Sequence, residues 1–223
     1  MKKKAIIISI KSFKLSKQEK IILSKEKPWG LILFKRNIKS LSQLKRLVLS
    51  IRKVIKDKNF PILIDEEGGS VTRIGRITKH DVYQKLFGDV FNYNSKLSID
   101  IYKKYLLEII GFLKKTGINI NTVPVLDVLR KDTNKIIGNR SFSDNKKIVK
   151  KLGSVCIKNY QLNKIGTVIK HIPGHGCSSL DSHKKLPIVN LSFQNLNDTD
   201  FFPFKNSHSK FAMTAHILYK KLD

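Results

Sequence analysis

Three histidines fall within thirteen residues, in Lys170-His171-Ile172-Pro173-Gly174-His175-Gly176 followed by Asp181-Ser182-His183, with Pro187 just beyond. Gly and Pro between them describe a loop that holds ionisable groups in place. Two chemistries fit these residue types. His171, His175, His183 and Asp181 could together ligate a metal ion. Alternatively, Asp181 could orient and charge His183 so that the imidazole passes a proton near neutral pH. One loop histidine is ordinarily satisfied by backbone carbonyls. Three with an aspartate, at the end of an apolar run, favour function.

Other ionisable groups stand at the ends of apolar runs. Asp65-Glu66-Glu67 closes the run 61–65, Asp127 follows 118–126, Lys170 and His171 close 166–170, and His216 follows 211–215. Together with 5–10 and 31–34, these runs read as strands. Between them lie helical periods: Leu41, Leu44, Leu47, Val48, Ile51, Val54 and Ile55; Leu97, Ile101, Tyr105, Ile109 and Leu113; Ile148, Leu152 and Cys156. Strands separated by helices predict βαβ units and a parallel α/β sheet. Polar groups then collect at the carboxyl ends of the strands. That end is the mouth of a (β/α)8 barrel and equally the ligand crevice of a doubly wound sheet.

Composition limits the classes further. The chain carries 44 Lys and Arg against 17 Asp and Glu, a net charge of +27, with 41% hydrophobic residues. A disordered polybasic tail lacks that apolar content. Lys outnumbers Arg 37 to 7 and is scattered along the chain. Base readers and phosphate clamps favour Arg, so the charge reads as a solvated lysine coat and nucleic acid is not the expected partner. No apolar run approaches the roughly 18 residues that cross a bilayer, so no membrane partner is expected. The lysines at the start resemble a signal n-region, but the apolar stretch 5–10 is too short for an h-region. Cys156 and Cys177 alone do not suggest a disulfide framework, and a reducing, cytoplasmic setting is expected. No linker or repeat divides the sequence, so residues 1–223 are expected to form one domain.

The sequence Lys-His-Ile-Pro-Gly-His-Gly, with Asp181-Ser182-His183 and Pro187 after it, resembles the signature of glycoside hydrolase family 3, and more narrowly of the bacterial β-N-acetylhexosaminidases of peptidoglycan recycling. Further segments agree in order: Gly30-Leu31-Ile32-Leu33-Phe34 with Arg36-Asn37, Ile64-Asp65-Glu66-Glu67-Gly68-Gly69 with Val71 and Arg73, Val123-Pro124-Val125-Leu126-Asp127-Val128, Ile137-Gly138-Asn139-Arg140-Ser141-Phe142, and Met213-Thr214-Ala215-His216. The resemblance implies a TIM-type barrel that removes non-reducing terminal β-linked N-acetylglucosamine from muropeptides with retention. It needs neither cofactor nor metal. Carried over by position, His183 is the acid/base, paired with Asp181, while Asp65, Arg73, Arg140, Lys170 and His171 hold the sugar. Asp127 reads instead as a barrel-mouth salt-bridge residue, His175 as a loop-shaping hydrogen bonder, and His216 as a residue lining the mouth.

The sequence also departs from that pattern. The family's nucleophile is an Asp in a Ser-Asp-Asp segment on a strand after the Thr214-Ala215-His216 region, and the sequence given stops at Asp223. About six of the eight βα units are present. The expectation is therefore an incomplete barrel without its nucleophile, open to pairing along its strand edges. No nucleophile role passes to Asp127 or Asp223. The rival expectations are a catalytically dead N-acetylglucosamine-binding remnant and a basic nucleic-acid binder. Ser70 and Thr72 stand where the family usually has Arg and Gln, at the rim of the outer sugar site.

Overall fold

The computed structural model describes residues 3–79, 81–181 and 185–222. Strands β1 (Lys4–Ile8), β2 (Pro28–Leu33), β3 (Ile62–Ile64), β4 (Ile120–Asn121), β5 (Gly166–Ile172) and, after the short β6 (Ile188–Val189), β7 (Phe211–Thr214) are the main extended segments. All but β6 form one parallel sheet in the order β1-β2-β3-β4-β5-β7. A last strand, β8 (Leu218–Tyr219), pairs with β6 in a separate two-stranded parallel sheet.

Helices α1 (Lys17–Glu26), α2 (Leu41–Ile55), α3 (Gly75–Thr78), α4 (Gln84–Tyr93), α5 (Ser95–Thr116), α6 (Lys146–Leu162) and α7 (Phe193–Asp198) connect the strands. Their starts are written in the sequence. Ser16 accepts from Glu19 N while Glu19 accepts from Ser16 N, a reciprocal cap on α1. Ser40, Asn94 and Asn145 cap α2, α5 and α6 one way, their side chains accepting from Gln43 N, Leu97 N and Lys147 N. Helix α5 stops at Gly117, whose φ of 83° is cheap only without a Cβ.

The central strands β3 and β4 are buried on both faces, as covered parallel strands are, whereas most of β1 and β7 at the sheet edges is exposed. Leu44, Leu47, Val48 and Ile51 of α2 and Leu106, Ile109, Ile110 and Leu113 of α5 cover the outer face. The opposite face holds a second cluster of Leu63, Ile120 and Val168 with Trp29, Ile32 and Phe211. Within it the Trp29 and Phe211 rings lie 5.4 Å apart, although β3, β4 and β5 separate their strands. In a flat sheet four strand spacings would put β2 and β7 about 19 Å apart. The sheet is therefore curled on itself, as six strands of an incomplete TIM-type barrel, with helices outside and the small apolar cluster within.

The expected strand at 118–126 is a regular strand only at Ile120–Asn121. Pro124 has no N–H to give the ladder, and the chain continues as an extended segment whose Pro124 carbonyl accepts from Lys170 N. Strand β5 runs two residues beyond the expected 170, with a register shift against β7 between Lys170 and Ile172. No helix among the described residues is long and apolar enough to cross a membrane.

Candidate functional site

The carboxyl ends of β3, β5 and β7 open onto a cleft of about 530 Å³ lined, among others, by Asp65, Arg73, Arg140, Lys170, His171 and His216. Of the sequence-predicted site residues, Asp65, Arg73, Arg140, Lys170 and His171 thus share one cavity. Asp181 is half-buried and not among the cleft-lining residues; its carbonyl accepts from Lys185 N. His183 lies outside the described residues.

Three consecutive acidic residues leave β3 in three directions. Asp65 faces the cleft: Oδ1 accepts from Lys170 Nζ at 2.7 Å and from the Thr122 hydroxyl, and Oδ2 from Arg73 at 3.4 Å. Burial alone would raise its pKa, but Lys170, Thr122 and Arg73 outweigh it and hold the carboxyl at about 2. Glu66 is buried, and its Oε2 accepts from the backbone N–H groups of Arg73 (2.6 Å) and Ile74 (3.0 Å). It thereby pins the loop that carries Arg73, while burial pushes its own pKa up. Asn121 holds the Glu66 backbone from the neighbouring strand, accepting from its N–H and donating to its carbonyl. Glu67, 1% exposed, receives both Arg140 and Lys170.

The loop after Glu67 must turn back sharply, and Gly68 does so at φ 91°, where a Cβ would stand 2.0 Å from the Val82 carbonyl oxygen. Arg140 sits on the 3-10 turn Gly138–Arg140. Its Nε and Nη2 grip Glu67 in a two-point fork at 2.7 and 3.0 Å, and Nη1 donates to the Ile136 carbonyl. Burial works against this guanidinium, but Glu67 raises its pKa further. Arg73 stacks 5.8 Å from the Phe34 ring centre, and its buried Nε has no hydrogen-bond partner among the described residues.

On the other wall, the fully buried Asp127 accepts from His171 Nδ1 at 2.7 Å and from the backbone N–H groups of His171 and His175. Burial opposes its ionisation, yet the His171 ring and those N–H groups keep its pKa below the usual range. The His171 Nε2 faces Arg140 Nη2 at 3.3 Å. An arginine can only donate, so Nε2 accepts and the ring proton stands on Nδ1. His175 is buried behind His171, which lowers its pKa. Among the described residues no three His, Cys, Asp or Glu side chains stand together so as to hold a metal ion. The small sheet fastens the histidine loop from outside, as Tyr219 donates to the Gly174 carbonyl at 2.7 Å.

Around one cavity, Asp65 and Glu67 thus pair with Arg73, Arg140 and Lys170, and Asp127 pairs with His171, while Lys135 adds a further cation to the lining. Fixed donors and acceptors in such a wall suit a neutral, hydroxyl-rich ligand such as a sugar ring, which offers both hydrogen-bond senses. Reading the residues in sequence missed the roles of Glu66, Glu67, Asn121 and Thr122. The signal was present: polar Asn and Thr inside the otherwise β-branched stretch Ile118-Asn119-Ile120-Asn121-Thr122.

A family profile described as the glycosyl hydrolase family 3 N terminal domain matches residues 2–223. The chain belongs to this family. Its family relatives include beta-hexosaminidase A of Pseudoalteromonas piscicida, 33% identical over 211 residues that cover 87% of this chain and 33% of that protein. Beta-hexosaminidase of Neisseria gonorrhoeae is 30% identical over 98% of this chain and 61% of its own length. Among solved structures of the family, NagZ from Neisseria gonorrhoeae in complex with N-trifluoroacetyl-D-glucosamine superimposes with a TM-score of 0.92 at 29% identity, over 99% of this chain and 66% of that one. A family 3 beta-N-acetylglucosaminidase from a Paenibacillus superimposes with a TM-score of 0.86 at 25% identity, over 97% of this chain and 41% of that one. This chain spans about a third to two thirds of the length of these relatives.

Proposed function

We propose that the cleft binds the non-reducing terminal β-linked N-acetylglucosamine of a muropeptide fragment and serves its retaining hydrolysis in the cytoplasm, with residues 1–223 forming one unit of the barrel. Asp65 accepts from ring hydroxyls, Arg73 and Arg140 donate to hydroxyl and carbonyl oxygens, and Lys170 and His171 complete the wall. His183 serves as acid/base with Asp181 as its partner, an imidazole in the role that a carboxyl group fills in most retaining glycosidases. The observation that carries this reading is the convergence of Asp65, Arg73, Arg140, Lys170 and His171 on one cavity at the carboxyl ends of the strands. Two free thiols, one buried and one half-buried, suit a reducing compartment.

Retention also needs a nucleophile. Asp65, Glu67 and Asp127 are each tied to cations or N–H groups, so we assign that role to none of them. The same observation favours a second reading, a site that holds the sugar without cleaving it. Calorimetry with N-acetylglucosamine, paired with release from a chromogenic β-N-acetylglucosaminide, separates the two. Binding with release supports the hydrolase, and binding alone supports the sugar-holding site. Failure to bind, or binding that survives Asp65→Ala and Arg140→Ala unchanged, refutes both.

A further inference from the structure

Lys170 and Arg140 line the cleft, yet most of their hydrogen-bonding capacity is already committed to neighbouring groups. Lys170 is 1% exposed, and its ammonium has three acceptors: Asp65 at 2.7 Å, Glu67 at 2.5 Å and the Thr122 hydroxyl at 3.0 Å. An ammonium has three hydrogens, so each is committed. Arg140 gives Nε and one Nη2 hydrogen to Glu67, one Nη1 hydrogen to Ile136, and the remaining Nη2 hydrogen to His171. One Nη1 hydrogen remains. Glu67 is the residue that these two networks share.

We infer that Glu67 is a positioning residue. Its carboxylate fixes the Arg140 fork and the Lys170 ammonium so that a single Arg140 Nη1 hydrogen, together with Asp65 Oδ2, is presented to the sugar. Three features of the geometry support this role. First, Glu67 is as buried as any core residue, so it does not touch ligand itself. Second, burial opposes its ionisation, but Lys170 and Arg140 hold its pKa below the ordinary value, so it stays a carboxylate. Third, Arg140 rides on a short 3-10 turn and Lys170 on β5, elements that share no backbone hydrogen bond. A fork anchored on a third element, just past β3, sets the distance between them. Bidentate Arg–carboxylate pairing gives direction as well as strength, which a lone cation on a turn lacks.

This inference rests on the sugar-binding reading, and the test separates the two. The purified full chain is compared with Glu67→Gln and Glu67→Asp. Calorimetry with N-acetylglucosamine gives affinity, and nitrogen NMR gives the shift and hydrogen exchange of Arg140 Nε–H. Expected is a slowly exchanging Arg140 Nε–H in the native chain. In a still-folded Glu67→Gln that protection is lost and sugar affinity falls at least tenfold. Glu67→Asp, which keeps the charge, restores part of both. A purely structural Glu67 would lower the melting temperature of Glu67→Gln and leave its sugar affinity and Arg140 protection at native values, which overturns the inference. Should Glu67→Gln fail to fold, Glu67→Asp decides: native affinity together with an unprotected Arg140 Nε–H overturns it. No sugar binding by the native chain refutes the function proposed above, and Arg140 protection then judges the positioning on its own.

Discussion

Replacing Asp127 by Asn changes one atom's chemistry and leaves the shape in place. The carboxylate is fully buried and accepts three N–H groups: His171 N at 3.2 Å and His175 N at 2.7 Å on Oδ1, and His171 Nδ1 at 2.7 Å on Oδ2. In Asp127→Asn the amide oxygen keeps both backbone donors, and the amide NH2 is left facing His171 Nδ1–H. Moving the ring proton to Nε2 relieves that clash only by making a new one, because Nε2 faces the Arg140 donor at 3.3 Å. One charge-assisted hydrogen bond is lost, worth about 1.5–3 kcal/mol, and one buried donor is left unsatisfied, worth about 1–3 kcal/mol. A total of about 2.5–6 kcal/mol is expected, which for a chain of this size lowers Tm by about 5–24 °C. Urea unfolding followed by circular dichroism measures the first quantity, and the ring nitrogen shifts of His171 report the tautomer. Stability within about 1 kcal/mol of native, with unaltered His171 nitrogens, would refute the reasoning.

Acid should loosen the cleft from Asp65 outward. Its pKa is lowered in the fold from 3.8 to about 2, so its contribution is complete above about pH 4 and disappears as pH falls through the folded value. A shift of that size corresponds to about 2 kcal/mol, and Asp65→Asn should flatten that part of the urea midpoint against pH between about pH 5 and pH 2. Two glycines give opposite signs. Gly88→Ala in α4 drives a Cβ to 1.7 Å from the Phe142 carbonyl oxygen and should cost about 3 kcal/mol. Gly111→Ala in α5 meets nothing within 4 Å and should stabilise by about 0.5–1 kcal/mol, both read by thermal melts.

The long elements were legible because their periods are strong. Leu44, Leu47, Val48 and Ile51 recur on one face of α2 and are all buried, and the β-branched runs found each strand of the curled sheet. Helix α1 was missed because its apolar face is poor, with only Leu23 buried, although the Ser16-x-x-Glu19 cap marks its start. Strands β6 and β8 have two residues each, too few to show any alternation. At the site, residue type and strand-end position brought out Asp65, Lys170 and His171, whereas Arg73 and Arg140, which lie off the strand ends, came only from the motifs that resemble the family. The pairing of Glu67 with Arg140 spans 73 residues, and that of Asp127 with His171 spans 44. No local pattern encodes partners so far apart. They follow only from the curl that brings the strand ends together.

Trp29 is the single tryptophan of the chain, and its ring leans edge-on against Phe211 of β7. The protein thus carries an optical gauge of the curl of its sheet. Any event that lifts the last strand of the sheet wets the indole and moves its emission to the red. Fraying confined to α1 or α7 leaves the colour unchanged, so one cuvette measurement tells an uncurled sheet from a loosened rim.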